Sequence, residues 1–236
     1  MKCTKMLFAA AALAGVLSAC SDSAKDGLTI NGAGASFPAP VYQSWTHTYT
    51  SAKDAEGIKV NYQSLGSGAG LNQIKAKTVD FAGVDNPLTK EEQEEAGLLQ
   101  FPMLTGGVVV IVNVPGVENE AMKLSKAVLA DIFLGNIDKW NDERIQKDNP
   151  DLKLPDLAIT VVRRADSSGT SFIFTNYLSK ISKEWEEKVG FGSSVKWPVG
   201  IGGQKNPGVC NNVSKIKGSI GYTEYTYAVE AKLDMV

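Results

Sequence analysis

The chain has 236 residues, 43% hydrophobic and 21% charged, with 23 glycines and 9 prolines. These proportions belong to a globular protein and exclude a disordered, collagen-like or disulfide-dense chain. A net charge of -2 leaves no basic footprint for nucleic acid, one histidine (His47) argues against a His metal cluster or relay, and three cysteines cannot build a disulfide framework.

The N-terminal residues read as an address. Two lysines precede an apolar run from Met6 to Leu17, which ends in Leu17-Ser18-Ala19-Cys20. A basic start, a short apolar core and small residues at the cleavage point predict a signal peptide over residues 1–19. The run is too short for a permanent membrane span, which needs roughly 20 residues. Leu-Ser-Ala-Cys resembles the lipobox of bacterial lipoproteins, so a lipid on Cys20 is expected to hold an exported domain at a membrane, with residues 20–27 as a polar tether. An ordinary signal peptide with an incidental cysteine is the alternative. Cys210 reads as a small apolar filler.

Beyond residue 27 short β-type runs alternate with helical patterns. Leu28-Thr29-Ile30 predicts a strand, and Pro38 and Pro40 open a helix with Val41, Trp45 and Tyr49 on one face. Ile58, Val60 and Tyr62 alternate as a half-buried strand, followed by Gly66 to Gly70 and a short helix around Leu71 and Ile74. Thr89 and Glu92 form a capping box. Val108 to Val112 is a β-branched run suited to a buried strand, and Ser125 to Leu134 is a helix stopped by Gly135. Ile159 to Val162 predicts a strand running into Arg163 and Arg164, before a helix with Ile173, Tyr177 and Ile181 on one face. Residues 197–208 read as a Gly/Pro loop, followed by a helix, a strand and a helix. Alternating strands and helices predict an α/β protein of two lobes.

Three loops share one pattern of strand, then Gly/Ser/Thr, then helix: Gly34-Ala35-Ser36-Phe37, Gly66 to Gly70, and Ser167-Ser168-Gly169-Thr170. Free N–H groups at a helix start, together with the helix dipole, favour an anion. Ser and Thr are also ordinary N-caps, but three such loops, one beside arginines, favour a tetrahedral oxyanion. Arg163 and Arg164 end a strand, where ligands gather in α/β sheets, and at most one of them can face the site. They also read as surface or lobe-bridging salt links. Asp166 is placed to orient an arginine or to act as a cap. Asp80 and Asp85 read as turn or cap residues, or as acceptors for a ligand proton. An ionised carboxylate accepts a hydrogen bond from protonated phosphate and repels sulfate, which carries no proton.

The segments GAGASFPAPVYQSW, VNYQSLGSGAGLNQI, VDFAGVDNPL, VVRRADSSGTSFIFTNYL, VKWPVGIGGQKNPGV and GSIGYTEYTYA resemble, in order and spacing, the phosphate-binding proteins of bacterial phosphate ABC importers. The resemblance implies a two-lobed, type II Venus-flytrap fold that closes on inorganic phosphate in the periplasm or at the cell surface. It implies delivery to an ABC permease and ATPase complex by a monomer that is not an enzyme and needs no metal or cofactor. By position it implies that Ser36 and the Phe37 N–H supply first-loop contacts and Ser67 a second-loop contact. Asp85 then accepts the phosphate proton, Arg164 is the cationic ligand oriented by Asp166, and Ser168, Gly169 and Thr170 form the third loop. The lobes are expected at 28–105 and 106–224. Family members continue past the position of Val236, so residues 225–236 are expected to begin a return to lobe 1 whose remainder is missing, leaving an exposed sheet edge and apolar face. A phosphate-ester hydrolase and a phosphate-sensing surface lipoprotein are the alternatives.

Overall fold

The computed structural model describes residues 27–52 and 57–236. The expected signal peptide, the lipidated Cys20 and all but the last residue of the tether lie outside the described residues.

Two sheets organise the described residues. The first is parallel, in the order β2-β1-β3, built from β1 (Thr29–Gly34), β2 (Lys59–Ser64) and β3 (Phe81–Gly83). It carries α1 (Ala39–Thr50) and α2 (Ser67–Lys75). A connection through α3 (Lys90–Ala96), which starts on the Thr89–Glu92 capping box, leads to β4 (Val108–Asn113). The second sheet runs β6-β5-β7-β4-β8, with β5 (Thr160–Arg164), β6 (Ile201–Gly203), β7 (Ser219–Glu224) and β8 (Asp234–Met235). In it β5 lies parallel to β6 and β7, whereas β4 is antiparallel to β7 and β8. The α/β architecture of two lobes expected from the sequence is the architecture found. The helices of the second lobe are α4 (Lys126–Leu134), α5 (Glu143–Asp148), α6 (Gly169–Ile181), α7 (Lys183–Lys188), α8 (Lys205–Lys215) and α9 (Tyr225–Glu230).

Most of the buried apolar surface lies on the second sheet, whose two faces have separate cores. One core centres on Phe133, Trp140, Phe174, Trp185 and Tyr222. Phe174 stacks on Tyr222 at 4.3 Å, and Phe133 meets Phe174 edge-on at 4.8 Å, the offset and T-shaped geometries that aromatic quadrupoles favour. The buried indoles are satisfied, since Trp140 Nε1 donates to the Gly218 carbonyl at 2.9 Å and Trp185 Nε1 to that of Gly190 at 2.8 Å. The opposite face is covered by α8 and α9 through Val209, Cys210, Val213 and Ala228. Cys210 fills that core, and burial pushes its thiol pKa up.

Tyr222 links this core to the site strand. Its hydroxyl accepts from the Arg164 N–H at 3.2 Å and shares a 2.6 Å hydrogen bond with Ser171 Oγ. Tyr222→Phe would leave a buried N–H and a buried hydroxyl short of a partner, so stability should fall by about 1–3 kcal/mol. A urea midpoint equal to that of the wild type would contradict this role.

Two helices bury a face other than the expected one. On α1, Trp45 and Tyr49 are exposed, while Ala39 is buried with Tyr42 and Thr46 half-buried beneath it. The Tyr42 ring packs edge-on against Tyr62 at 5.0 Å, and this contact sets the helix rotation. On α6, Ile173 and Tyr177 face outward, while Phe174, Thr175 and Leu178 face the core. Inside the expected Gly/Pro loop, residues 201–203 pair with β5 and α8 begins at Lys205. Residues 225–236 form α9 and β8 and stay with the second sheet through the pairing of β8 with β4. Large apolar side chains outside the second sheet's cores are exposed at Leu28, Trp45, Leu99, Phe101 and Met103.

Candidate anion-binding site

Parallel strands deliver their C-terminal ends, and the helix starts that follow them, to one edge of a sheet. Here β1 ends at Gly34, β2 at Ser64, β3 at Gly83 and β5 at Arg164, and the loops leaving them meet between the lobes. Ser36 lies just before α1, Ser67 opens α2, Asp85 follows β3, and Ser168 caps α6. Gly66 turns the chain from β2 into α2 at φ 99°, a left-handed conformation that glycine adopts without a Cβ penalty.

Three of the expected residues share one hydroxyl. Ser67 Oγ donates to Asp85 Oδ2 at 3.3 Å and accepts from the Asp85 N–H at 3.4 Å and from the Gly169 N–H, across the lobes, at 3.2 Å. The Gly68 N–H adds a second link to the Ser167 carbonyl at 3.2 Å. Gly169 permits this approach: a Cβ there would lie 2.4 Å from the Asp85 Cβ and 2.7 Å from Ser67 Oγ. Gly169→Ala should therefore hold the lobes apart. Overpacking of about 1–3 kcal/mol predicts anion affinity lower by roughly 5- to 150-fold, with unchanged circular dichroism. Affinity equal to that of the wild type would show that this contact is dispensable.

Arg164 supplies the buried cation, its side chain 1% exposed. Its Nε donates to Asp166 Oδ1 at 2.8 Å and its Nη2 to Oδ2 at 2.5 Å, a fork-to-fork pair that fixes the guanidinium plane. Its Nη1 reaches Thr170 Oγ1 at 3.4 Å and Asn206 Oδ1 at 3.1 Å. Arg163 points to the other side of the strand, where its Nη1 donates to the Arg164 carbonyl. Burial would raise the Asp166 carboxyl, but the Arg164 hydrogen bonds and charge, with the Lys205 N–H at 3.0 Å, hold it below the usual range.

Asp85 has the opposite balance. Burial pushes its pKa up to about 6, opposed by the Ser67 hydroxyl and the Arg164 charge and reinforced by the nearby Glu224. The second aspartate of its segment, Asp80, takes a structural role by accepting from the Asn31 N–H at 2.8 Å. Ser168 Oγ accepts from the Ser171 N–H at 3.1 Å and so caps α6, leaving its O–H as a donor. Ser168 and Thr170 are fully buried, and Phe37 is half-buried with its ring against Gly106. A cleft of about 430 Å³ borders the cluster, lined in part by Ser67, Asn72, Asn86, Asp166 and Ser193. His47 is exposed on α1, and no group of three or more metal-ligating side chains occurs among the described residues.

Sequence reasoning missed the contacts that join Ser36 to the second lobe. The Tyr227 hydroxyl donates to the Ser36 carbonyl at 2.7 Å, and the Asn206 N–H donates to Ser36 Oγ at 3.3 Å. Asn206 stands behind Gly202 and Gly203 at a helix start, the strand-glycine-helix pattern that marked the other three loops. Tyr227 carries no comparable signal.

A family model described as "PBP superfamily domain" matches residues 20–236. The chain belongs to the PBP superfamily. It is 56% identical over 205 residues to the phosphate-binding protein PstS of Pasteurella multocida, covering 87% of this chain and 59% of that protein. It is 53% identical over 204 residues to the phosphate-binding protein PstS of Xylella fastidiosa, covering 86% of this chain and 55% of that protein. The chain thus spans under two thirds of the length of these relatives. Among solved structures it is similar to a high affinity periplasmic phosphate-binding protein with phosphate bound, at a TM-score of 0.68 and 23% identity over 87% of this chain and 60% of that one. At that identity the likeness speaks for the PBP fold alone. No helix among the described residues is long and apolar enough to cross a membrane.

Proposed function

We propose that this chain binds inorganic phosphate between its lobes, outside the cytoplasmic membrane, and hands it to an ABC permease with its ATPase. The observation that carries the reading is the convergence of Ser36, Ser67, Asp85, Arg164 and the Ser168-Gly169-Thr170 helix start at the ends of β1, β2, β3 and β5. Serine and threonine hydroxyls, helix-start N–H groups and one guanidinium offer donors to four phosphate oxygens, and Asp85 offers an acceptor to a phosphate proton. The PstS names of the two relatives support the same ligand.

In this reading Ser36, the Phe37 N–H and Ser67 act from one lobe, within residues 28–105. Arg164, Ser168, Gly169 and Thr170 act from the other, within residues 106–224. Asp166 orients Arg164 without touching the anion. Residues 1–19 serve export, and a lipid on Cys20 anchors the monomer through the 20–27 tether. The protein binds and releases its ligand unchanged, with no reaction step. The net charge of -2 does not oppose this, because charges beyond a Debye length of about 8 Å are screened while the site groups act within a few ångströms.

Equilibrium dialysis of the whole chain against radiolabelled phosphate tests the reading. Saturable binding of one phosphate per chain is expected. Absence of saturable binding, or release of phosphate from a chromogenic phosphate ester, would overturn it.

A further inference from the structure

The start of α8 holds a polar side chain with unused capacity inside the site. Asn206 is fully buried. Its backbone N–H donates to Ser36 Oγ at 3.3 Å in the opposite lobe, and its Oδ1 accepts from Arg164 Nη1 at 3.1 Å. A guanidinium carries donors only, so the carboxamide atom facing Arg164 must be the oxygen, which fixes the amide orientation. The remaining group, Nδ2, is buried and has no hydrogen-bond partner among the described residues. A buried NH2 without a partner is costly, and native structures rarely keep one without a use for it. The neighbouring Lys205 opens α8 at φ 57° and gives its N–H to Asp166 Oδ1, so the same turn holds both the arginine and its carboxylate partner.

Resting on the phosphate reading above, we propose that Asn206 is a further ligand of the bound oxyanion: its Nδ2 donates to an anion oxygen while its Oδ1 holds Arg164 in position. The two partners of Asn206, Ser36 on its backbone N–H and Arg164 on its Oδ1, both belong to the proposed anion shell, so the free NH2 is placed to meet an oxygen bound by that shell. One residue then joins three tasks. Its N–H ties the lobes through Ser36, its carbonyl aims the guanidinium, and its NH2 meets the ligand that the closed lobes enclose.

The test is nuclear magnetic resonance of the ¹⁵N-labelled whole chain during phosphate titration, with the Asn206 side-chain NH2 assigned by its loss in Asn206→Ala. Saturating phosphate should move the NH2 signals downfield, slow their exchange with water and produce a through-hydrogen-bond coupling to ³¹P. Asn206→Ala should weaken phosphate binding by roughly tenfold to a hundredfold, the loss of a hydrogen bond to a charged group. Should the alanine variant fold poorly, Asn206→Ser carries the same expectation, because its short hydroxyl side chain has no NH2 to offer the anion. Side-chain signals unmoved by saturating phosphate would overturn the proposal even if affinity fell, since a residue that only holds Arg164 gives that pattern. Unchanged affinity in a folded variant would overturn it as well. A wild-type chain that binds no phosphate would overturn the phosphate reading first, and this proposal with it.

Discussion

Arg164→Ala is expected to reduce phosphate affinity by at least roughly a thousandfold, about 4 kcal/mol, and to destabilise the second lobe. The guanidinium is the cation bonded to both Thr170 and Asn206, and its side chain is all but removed from water. Its loss also strands Asp166, whose carboxylate is 15% exposed and keeps only backbone N–H partners, those of Lys205 and of Asp166 itself. Breaking one side of such a buried pair costs about 3–5 kcal/mol. Because Arg164 lowers the folded pKa of Asp166, the stabilisation it gives is present above the ordinary carboxyl pKa of 3.8 and is lost as pH falls through the lowered value. The variant should therefore lose stability near neutral pH and show a flatter acid-unfolding profile. Arg164→Lys should recover only part of the binding, since an ammonium keeps the charge but not the fork that engages Asp166. Calorimetric titration together with urea unfolding at two pH values checks both halves. Near-normal affinity in the alanine variant would remove Arg164 from the site.

Asp85→Asn is expected to cut the preference for phosphate over sulfate by at least roughly a hundredfold while costing phosphate affinity less. An ionised Asp85 faces sulfate with a charge of the same sign and no proton to share, a juxtaposition that costs several kcal/mol. Asparagine presents an NH2 that can donate to either anion. The raised pKa adds a pH signature. Above about 6 the carboxylate is ionised and excludes sulfate; as pH falls through that value it gains a proton, becomes a donor itself, and sulfate binding should strengthen. A raised carboxyl pKa means that the folded form takes up protons first. Its contribution to stability is fully present below the ordinary carboxyl pKa and is lost as pH rises through about 6. Sulfate affinity should accordingly rise on acidification in the wild type and stay level in Asp85→Asn. A selectivity that ignores both the substitution and the pH would assign exclusion of sulfate to some other group.

The three Gly/Ser/Thr loops that meet between the lobes were legible because their signals are local, whereas the choice of Asp85 and of Arg164 came with the family resemblance. A strand, a glycine-containing turn and a hydroxyl at the next helix start occupy fewer than about ten residues, and the physics of a helix N-terminus then implies a ligand sign. The choice between Arg163 and Arg164 could be narrowed to one by strand alternation, but which one faces inward depends on the sheet's packing. Helix faces were harder. On α6 apolar residues lie on both sides, so periodicity identified a helix but pointed to Ile173 with Tyr177 where Phe174 with Leu178 is the buried face. The burial of Phe174 follows from stacking on Tyr222, a residue of a distant strand. Least legible was Tyr227, which meets Ser36 across 191 residues of sequence; Asn206 carried the strand-glycine-helix pattern, but its contact with Ser36 spans 170 residues. No local pattern encodes contacts of that separation; they appear only once both lobes are folded and brought together.

Selection of phosphate by this cluster rests on a buried cation combined with a proton acceptor. The most direct measurement is a pair of calorimetric titrations of the whole chain near neutral pH, one with phosphate and one with sulfate. A single tight phosphate site is expected, with sulfate weaker by at least roughly a hundredfold. Equal affinities for the two anions, or no heat from phosphate, would contradict it.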